Sequence, residues 1–404
     1  MKKKVFIGIV LVLFSYLLLF ILNSRDYANY EIPTMRIDLK DVDIETINNG
    51  AKDIKYSHNR VRIYDSKLKF DSEVTIKGRG HYTWNLAKKP YQLIFDEKVS
   101  ILGLPKVKKY VLLANMADSS SLRNDFTYSI AKDLNLNYSF TGVFVDLFID
   151  DNSLGTYYIT PKVEIDENVV DLKDKKAIMM ELDNSYYQEE EYFCSDTLND
   201  HLTIKDTARD DYQEEYSVFQ DKYNEMEEII LDGDYQRLQE VADVDSLVKY
   251  YIISEFAEYS DSIRSSLYFH MDGLNDKIHL GPVWDFDIAY GLQEAYFDIT
   301  KMPIKEHSFP NDERLSTLFY YLNQIPEFQE RTKQIWNESA RDVYRKNIKS
   351  LDTKIKYLTK SGTHNNAIWS IKPYKESTTM FKKWVNERFK YFDSYMKENQ
   401  WKRF

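Results

Sequence analysis

Three aspartates between residues 260 and 291 have the spacing expected for phosphate and metal chemistry. Asp285 and Asp287 lie in the sequence GPVWDFD, where acidic residues alternate with aromatic and apolar ones. This alternation predicts a strand from Val283 to Ile288 with both carboxylates on one face. Neighbouring carboxylates repel each other unless a cation or a shared proton lies between them. Mg²⁺ suits such a pair, because proteins commonly hold it with one or two carboxylates plus substrate phosphates.

A second interpretation of this pair is a solvated strand face, or two acids neutralised by Lys or Arg. The flanking aromatic residues favour burial, and an unpaired buried carboxylate is costly, so we favour the functional interpretation. Asp261 follows a predicted amphipathic helix from Asp243 to Tyr259. A loop is where a catalytic acid or base is often displayed. The alternative role for Asp261 is a hydrogen-bonding group at the helix end.

Composition excludes several classes of protein. The chain has 404 residues, enough for one large two-lobed domain or two ordinary ones. Its net charge is −11 and its basic residues form no long cluster, which argues against a nucleic-acid partner bound through phosphates. The single Cys194 excludes an intramolecular disulfide and a cysteine-based metal cage.

The N-terminus has the pattern of a membrane anchor. A lysine triplet precedes an almost uninterrupted apolar run from Val5 to Leu22, which is near the lower length limit for spanning a bilayer. No A-x-A cleavage site and no lipobox cysteine follow, so we predict an uncleaved signal-anchor with a short linker over residues 1–29. The positive-inside rule then places the rest of the chain on the extracytoplasmic side.

The elements that must position the acids divide the remaining chain into three parts. Alternating strands and turns predict a β-rich region over about residues 30–183. An acidic, tyrosine-rich stretch over about 184–222 predicts an insertion or a lid-like loop with a solvated charged face. Helical periodicity then dominates residues 223–404.

Basic residues in the β-rich region are candidates to contact phosphates. Arg79 lies in a Gly-x-Gly turn, Lys89 follows it, and Arg123 lies in the first turn of a predicted helix, where anions are favoured. Lys162 and Glu164 share one face of a short segment, so Lys162 could reach a nucleotide phosphate. The alternatives are a tight hairpin with exposed lysines, and a surface ion pair of Lys162 with Glu164.

Several stretches together resemble the CotH kinase family, named after the bacterial spore coat protein H. They occur in family order across most of residues 70–292, and the ordered set is specific although each stretch alone is weak. The stretches are IKGRGHYTW with KKPYQLIF at 76–95, SILGLPKVKKYVLLANMADSSSLRND at 100–125, VEID at 163–166, MELD at 180–183, VDSLVKYYIISEFA at 244–257, and SDSIRSSLYFH with GPVWDFDIAYG at 260–291. WVNERFKYFD at 384–393 is also similar to the family.

The resemblance implies an atypical protein-kinase-like α+β fold over residues 30–404, with a mostly β N-terminal lobe, a mostly helical C-terminal lobe and ATP bound between them. It implies transfer of the γ-phosphoryl group to serine or another hydroxyl of a protein. Asp261 would accept the hydroxyl proton, and Asp285 would hold Mg²⁺ or Mn²⁺ with Asp287 as a second ligand or an orienting group. The candidates for contacting the triphosphate are Arg79, Lys89, Arg123 and Lys162, with Glu164 orienting a lysine.

Three functions are therefore open at the level of sequence. The first is a membrane-anchored kinase acting on a Ser-rich surface or spore-coat protein, either outside the cell or in a mother-cell compartment near the coat. The second is a non-catalytic cell-surface binding or adhesion module on a kinase-like scaffold, because fold does not determine function. The third is a transferase acting on cell-envelope polymers.

Overall fold

The computed structural model describes residues 32–184, 187–258, 265–292 and 318–397. The predicted anchor at 5–22 and the predicted base Asp261 lie outside these ranges. Within the ranges, no helix combines the length and the apolar character needed to cross a bilayer. The predicted α+β class is confirmed, with a β-rich N-terminal part followed by a helical C-terminal part.

Seven strands of the N-terminal part close into a barrel instead of forming the open sheet of an ordinary kinase lobe. Their order is β1-β2-β3-β4-β5-β7-β6. All neighbours are antiparallel except β1 and β6, which pair in parallel and close the barrel. The strand bounds are Thr34–Asp38 (β1), Tyr56–Asp65 (β2), Lys67–Gly78 (β3), Tyr91–Val99 (β4), Val107–Leu113 (β5), Val143–Ile149 (β6) and Asn152–Pro161 (β7).

A second, antiparallel sheet is built from five strands that follow the barrel in sequence. Its order is β12-β11-β8-β10-β9. The bounds are Ile178–Leu182 (β8), Tyr192–Cys194 (β9), His201–Thr207 (β10), Leu267–Met271 (β11) and His279–Leu280 (β12). The predicted insertion over 184–222 therefore contributes two strands to this sheet. The acidic composition of the stretch predicted a solvated loop, but backbone pairing with β8 makes residues His201–Thr207 a strand.

The helices complete the fold. Their bounds are Ile44–Asn49 (α1), Arg123–Asp133 (α2), Gln213–Asp232 (α3), Tyr235–Val241 (α4), Val244–Ala257 (α5), Leu318–Leu322 (α6), Pro326–Ile335 (α7), Arg341–Ile368 (α8) and Tyr374–Lys397 (α9). A π-helical turn, Trp336–Ala340, joins α7 to α8. Helix α5 is predicted to be amphipathic but is buried on nearly all sides, as expected of a helix that is apolar all round.

Helix α8 packs directly on the barrel at β7. A Cβ atom on Gly155 would lie 2.4 Å from Asn365 Oδ1, so only glycine permits this approach. Asn365 Oδ1 accepts from the buried Lys88 Nζ at 2.8 Å and from the Thr156 N–H at 3.1 Å. Lys88 also donates to the carbonyl oxygens of Ala114 and Thr156. Burial lowers the pKa of Lys88 to about 7. This buried network attaches the helical part to the barrel.

His279 attaches the β11–β12 hairpin to the first turn of α5. Its Nδ1 lies 3.1 Å from an oxygen of Asp243, the N-cap of α5, and its Nε2 lies 3.3 Å from Asp276 in the hairpin turn. Burial opposes protonation, but the hydrogen bond to Asp243 and the charge of Asp276 raise the pKa of His279 above its ordinary value. Burial would raise the pKa of Asp243, but the bond to His279 lowers it to about 2. The hairpin leads into the segment with the two aspartates.

Candidate functional site

Asp285 and Asp287 lie in an irregular segment, so the predicted strand from Val283 to Ile288 is wrong. Residues 283–286 have no regular structure and residues 287–290 form a turn. Asp285 has φ = 62°, in the left-handed region, which interrupts an extended path. The flanking Trp284 and Phe286 are buried, as predicted, at 4% and 0% exposure. Non-glycine residues with this backbone cluster at active sites, where the surrounding structure stabilises them.

Helix α2 holds this segment through two side chains. The Asn124 Oδ1 atom accepts from the Phe286 N–H at 2.7 Å, and the Tyr128 hydroxyl accepts from the Asp285 N–H at 3.4 Å. The Tyr128 ring also stacks on Trp284 with centroids 5.9 Å apart. Asn124 and Tyr128 thus accept hydrogen bonds from the backbone N–H groups of Phe286 and Asp285. Neither residue was assigned to the site from the sequence.

Arg123 fixes the turn that follows Asp287. Its guanidinium is 4% exposed as a residue, forms an ion pair with the fully buried Asp118, and donates from Nε to the Ala289 carbonyl at 2.8 Å. A second donor, Nη2, lies 3.4 Å from the Tyr290 carbonyl. Protein acceptors thus surround the Arg123 guanidinium and give it a structural role, and its contact with a phosphate stays a prediction.

The Asp287 carboxyl group lies in an environment that disfavours its charge. The residue is 9% exposed. Burial raises the pKa of Asp287 well above its ordinary value, and the charges of Asp285 and Asp118 raise it further, against the opposing charge of Arg123. Across the described ranges, Asp287 forms no ion pair. A cation beside Asp285 and Asp287 would remove this penalty.

The donor set suits Mg²⁺ or Mn²⁺ held together with phosphates. The described residues contain no cluster of three or more His, Cys, Asp or Glu side chains able to hold a metal by themselves. Two carboxylates alone fit a hard cation that takes its remaining ligands from water and substrate phosphates. The repulsion among Asp285, Asp287 and Asp118 is the physical reason for a cation at this position.

Arg79 lies beside the acidic segment. Its guanidinium lies over the Trp284 ring at 5.3 Å from the centroid. Arg79 and Asp285 both act electrostatically on Tyr128 and on Tyr268 of β11, with opposite effects on the pKa of each tyrosine. Arg79 therefore places a positive charge next to the residue that would hold the cation.

Two lysines pair with Glu164, and the charge of a third, Lys205, acts on Lys162. Lys162 Nζ lies 3.1 Å and Lys109 Nζ lies 2.7 Å from Glu164 Oε2. Burial lowers the pKa of Lys162, Glu164 opposes this change, and the charges of Lys205 and Lys109 lower the pKa further. The ion pair of Lys162 with Glu164, given above as the alternative interpretation, is present, and it belongs to a cluster with Lys109 and Lys205.

Tyr268 connects the lysines to the acidic segment. Lys205 Nζ lies 4.8 Å from the centre of its ring and 2.6 Å from Glu181 Oε2 on β8. Burial raises the pKa of Tyr268, and the charges of both Glu181 and Asp285 raise it further. Tyr268 therefore lies close to Lys205 of the lysine cluster and within electrostatic range of Asp285.

Sequence reasoning placed some of these residues and missed others. The Lys89 ammonium contacts a residue close in sequence, since it donates to the Trp84 carbonyl and lies over the Trp84 ring. Glu181 lies in the stretch MELD and Asp118 in the stretch at 100–125, so the resemblance contained their signal. Lys205 had no signal, because it reaches the site only through the pairing of β10 with β8.

A β-barrel, a second antiparallel sheet and helices around a buried acidic segment define an α+β protein. The family model described as CotH kinase protein matches residues 76–392, which is most of the chain. The chain therefore belongs to the CotH kinase family. A search of curated proteins finds no match.

Proposed function

We propose that the protein is an ATP-dependent protein kinase that transfers the γ-phosphoryl group to a hydroxyl group, mainly of serine. The observation that carries this proposal is the buried Asp287 carboxyl beside Asp285, whose environment favours a cation, with Arg79 and a lysine cluster next to it. Phosphoryl transfer requires positioning and charge neutralisation, and these residue types supply both.

The residues divide the work as follows. Asp285 and Asp287 would hold Mg²⁺ or Mn²⁺, which neutralises charge on the phosphates of ATP. Arg79 and Lys162 would bind phosphate oxygens, and Glu164 would orient Lys162. Lys109 and Lys205 would add positive charge beside the triphosphate. Lys89 and Arg123 would support the site without contacting the nucleotide.

Asp261 would complete the reaction as the proton acceptor. The acceptor hydroxyl oxygen forms a bond to Pγ while the bond from Pγ to the bridging oxygen of ADP breaks. The hydroxyl proton passes to the Asp261 carboxylate, and ADP leaves with its negative charge neutralised. This role rests on the family resemblance and on the position of Asp261, three residues after the end of the helix capped at Glu258.

The acceptor and the location are proposed from the sequence alone. We propose that the acceptor is a Ser-rich surface or spore-coat protein. We also propose that residues 1–29 anchor the chain, with the catalytic part outside the membrane or facing a compartment near the coat. A location outside the cytoplasm would require ATP to reach the enzyme there.

Labelled ATP tests the activity directly. We expect the purified full-length chain with Mg²⁺ or Mn²⁺ to label a Ser-rich acceptor, and Asp285→Ala and Asp261→Asn each to abolish labelling. Asp151→Ala is the matched control, because the Asp151 side chain is fully exposed and pairs only with Arg36 on the barrel surface. Absence of labelling by the wild-type chain, together with absence of a thermal shift with ATP and metal, would refute the proposal and favour the non-catalytic binding module.

A further inference from the structure

The turn that follows Asp287 contacts the C-terminal end of α5. The Tyr290 N–H, three residues after Asp287, donates to the Ala257 carbonyl in the last turn of α5 at 2.9 Å. The Tyr290 ring packs edge-on against Phe381 and Trp384 of α9, with centroids 5.6 and 5.7 Å away. Helix α9 thus contacts the turn after Asp287 from outside the site.

Arg388 lies on the same face of α9 as Phe381 and Trp384, since i, i+3 and i+7 positions share a helix face. Its Nη2 donates to the Glu255 carbonyl at 2.5 Å and its Nε donates to the Phe256 carbonyl at 3.2 Å. Its Nη1 forms an ion pair with the Glu258 carboxylate, and the Glu255 carboxylate lies 3.8 Å from Nη2. One guanidinium therefore contacts the last turn of α5 and its cap.

The side chains that make these contacts are buried, so their charges must be balanced by other groups of the protein. The Arg388, Glu255 and Glu258 side chains are 5%, 2% and 7% exposed. The last carbonyls of a helix have no partner within the helix and carry its negative dipole end, so a cation there is favoured. Arg388 supplies that cation. Its planar guanidinium donates to two carbonyl oxygens and forms ion pairs with two carboxylates.

We propose that Arg388 is a positioning residue for phosphoryl transfer, which fixes the end of α5 against the turn that follows Asp287. This inference rests on the proposed function. Arg388 acts on Asp285 and Asp287 through Ala257 and Tyr290, and it does not contact the substrate. It fixes the chain at Glu258, from which Asp261 follows three positions later in sequence.

Arg388→Lys tests the proposal, because lysine keeps the charge and loses the planar fork. We expect kcat to fall by on the order of 10²-fold, the effect of a small misplacement of catalytic groups, while KM for ATP stays within about threefold. Hydrogen exchange should accelerate in residues 251–258 and in residues 283–292 together. Arg388→Met should show both effects more strongly, and Arg388→Lys remains informative if the Met variant does not fold.

Arg331→Lys is the matched control. Arg331 of α7 binds Asp245 in a bidentate ion pair at the opposite, N-terminal end of α5, with distances of 2.7 and 2.6 Å. We expect kcat and hydrogen exchange of residues 283–292 to stay at the wild-type level in this variant. A similar fall in kcat for both variants would show that any weakening of α5 suffices, and it would overturn the positioning role.

The two measurements separate this inference from the proposed function. If the wild-type chain transfers no phosphoryl group, the kinase proposal fails, yet hydrogen exchange still reports whether Arg388 couples the two segments. Wild-type exchange in both segments and unchanged kcat in Arg388→Lys would overturn the inference while leaving the kinase activity established.

Discussion

Replacement of Asp287 by asparagine should stabilise the metal-free protein and abolish its response to metal. In the absence of metal, Asp287 is buried next to Asp285 and near Asp118, and all three effects raise its pKa. Asparagine keeps the shape and removes the charge. Proteins commonly keep a destabilising group at a functional site because the activity requires that group.

The size of the effect follows from burial. Leaving a buried polar group without its partners costs on the order of 1 to 3 kcal/mol, and more for charged groups, so we expect Asp287→Asn to gain about 2 kcal/mol at pH 8. With about 2.1 cal/mol/K of unfolding entropy per residue over residues 30–404, that corresponds to roughly 2 to 3 °C in Tm. Because the folded-state pKa is raised, the wild-type protein loses stability as pH rises from the unfolded carboxyl value of about 3.9 through the folded value. The gain should therefore vanish near pH 4.

The assay is urea unfolding at pH 4 and pH 8, with and without MgCl₂ and ATP. Ligand at about 100 times its Kd should stabilise the wild-type protein by about 2.7 kcal/mol and should leave Asp287→Asn nearly unchanged. An Asp287→Asn protein that is less stable than wild type at pH 8, or equally stabilised by Mg²⁺ and ATP, would refute the reasoning.

Asp118→Asn is the matched control and should have the opposite sign. Asp118 is fully buried and accepts from the Ser120 N–H at 2.9 Å, the Arg123 N–H at 2.9 Å and the Arg123 guanidinium. Its replacement leaves the Arg123 charge buried without its partner, which typically costs about 3 to 5 kcal/mol. Replacement by asparagine should thus destabilise the protein at Asp118 and stabilise it at Asp287, because among the described residues Asp118 has an ion-pair partner and Asp287 has none.

Three further changes test other parts of the structure. His279→Gln should destabilise the protein by about 1 to 3 kcal/mol at pH 5.5 and by less at pH 8.5, as measured by urea unfolding at both pH values. The pKa of His279 is raised beside Asp243, so the stability that its protonated form contributes is lost as the pH rises through the folded-state pKa. Asn365→Ala should cost about 2 to 4 kcal/mol in denaturant unfolding, because Lys88 loses one of its three acceptors and the buried Thr156 N–H loses its acceptor. A cost below about 0.5 kcal/mol would contradict that account. Lys162→Met should raise KM for ATP by about tenfold with kcat within about threefold in steady-state kinetics, and a fall in kcat alone would show a role in the transition state instead.

Local chemistry explains which parts of the fold could be predicted. The helices that include Arg123 and Val244 are present as predicted, and in the second of them the N-cap Asp243 accepts from the Ser246 N–H. The burial of Trp284 and Phe286 also followed from residue type. The strand at Val283 to Ile288 was wrong because the alternating pattern does not reveal a left-handed backbone at Asp285.

The sequence by itself determined the α+β class, the family and the pair of acids that distinguishes the site, because periodicity, composition and short ordered motifs are local properties of the chain. Only the tertiary structure decided that Arg123 binds Asp118, that Lys205 and Lys109 join Lys162, and that the acidic stretch forms strands. Ion pairs and strand pairing depend on which distant segments meet, and a single sequence contains no direct record of those distances.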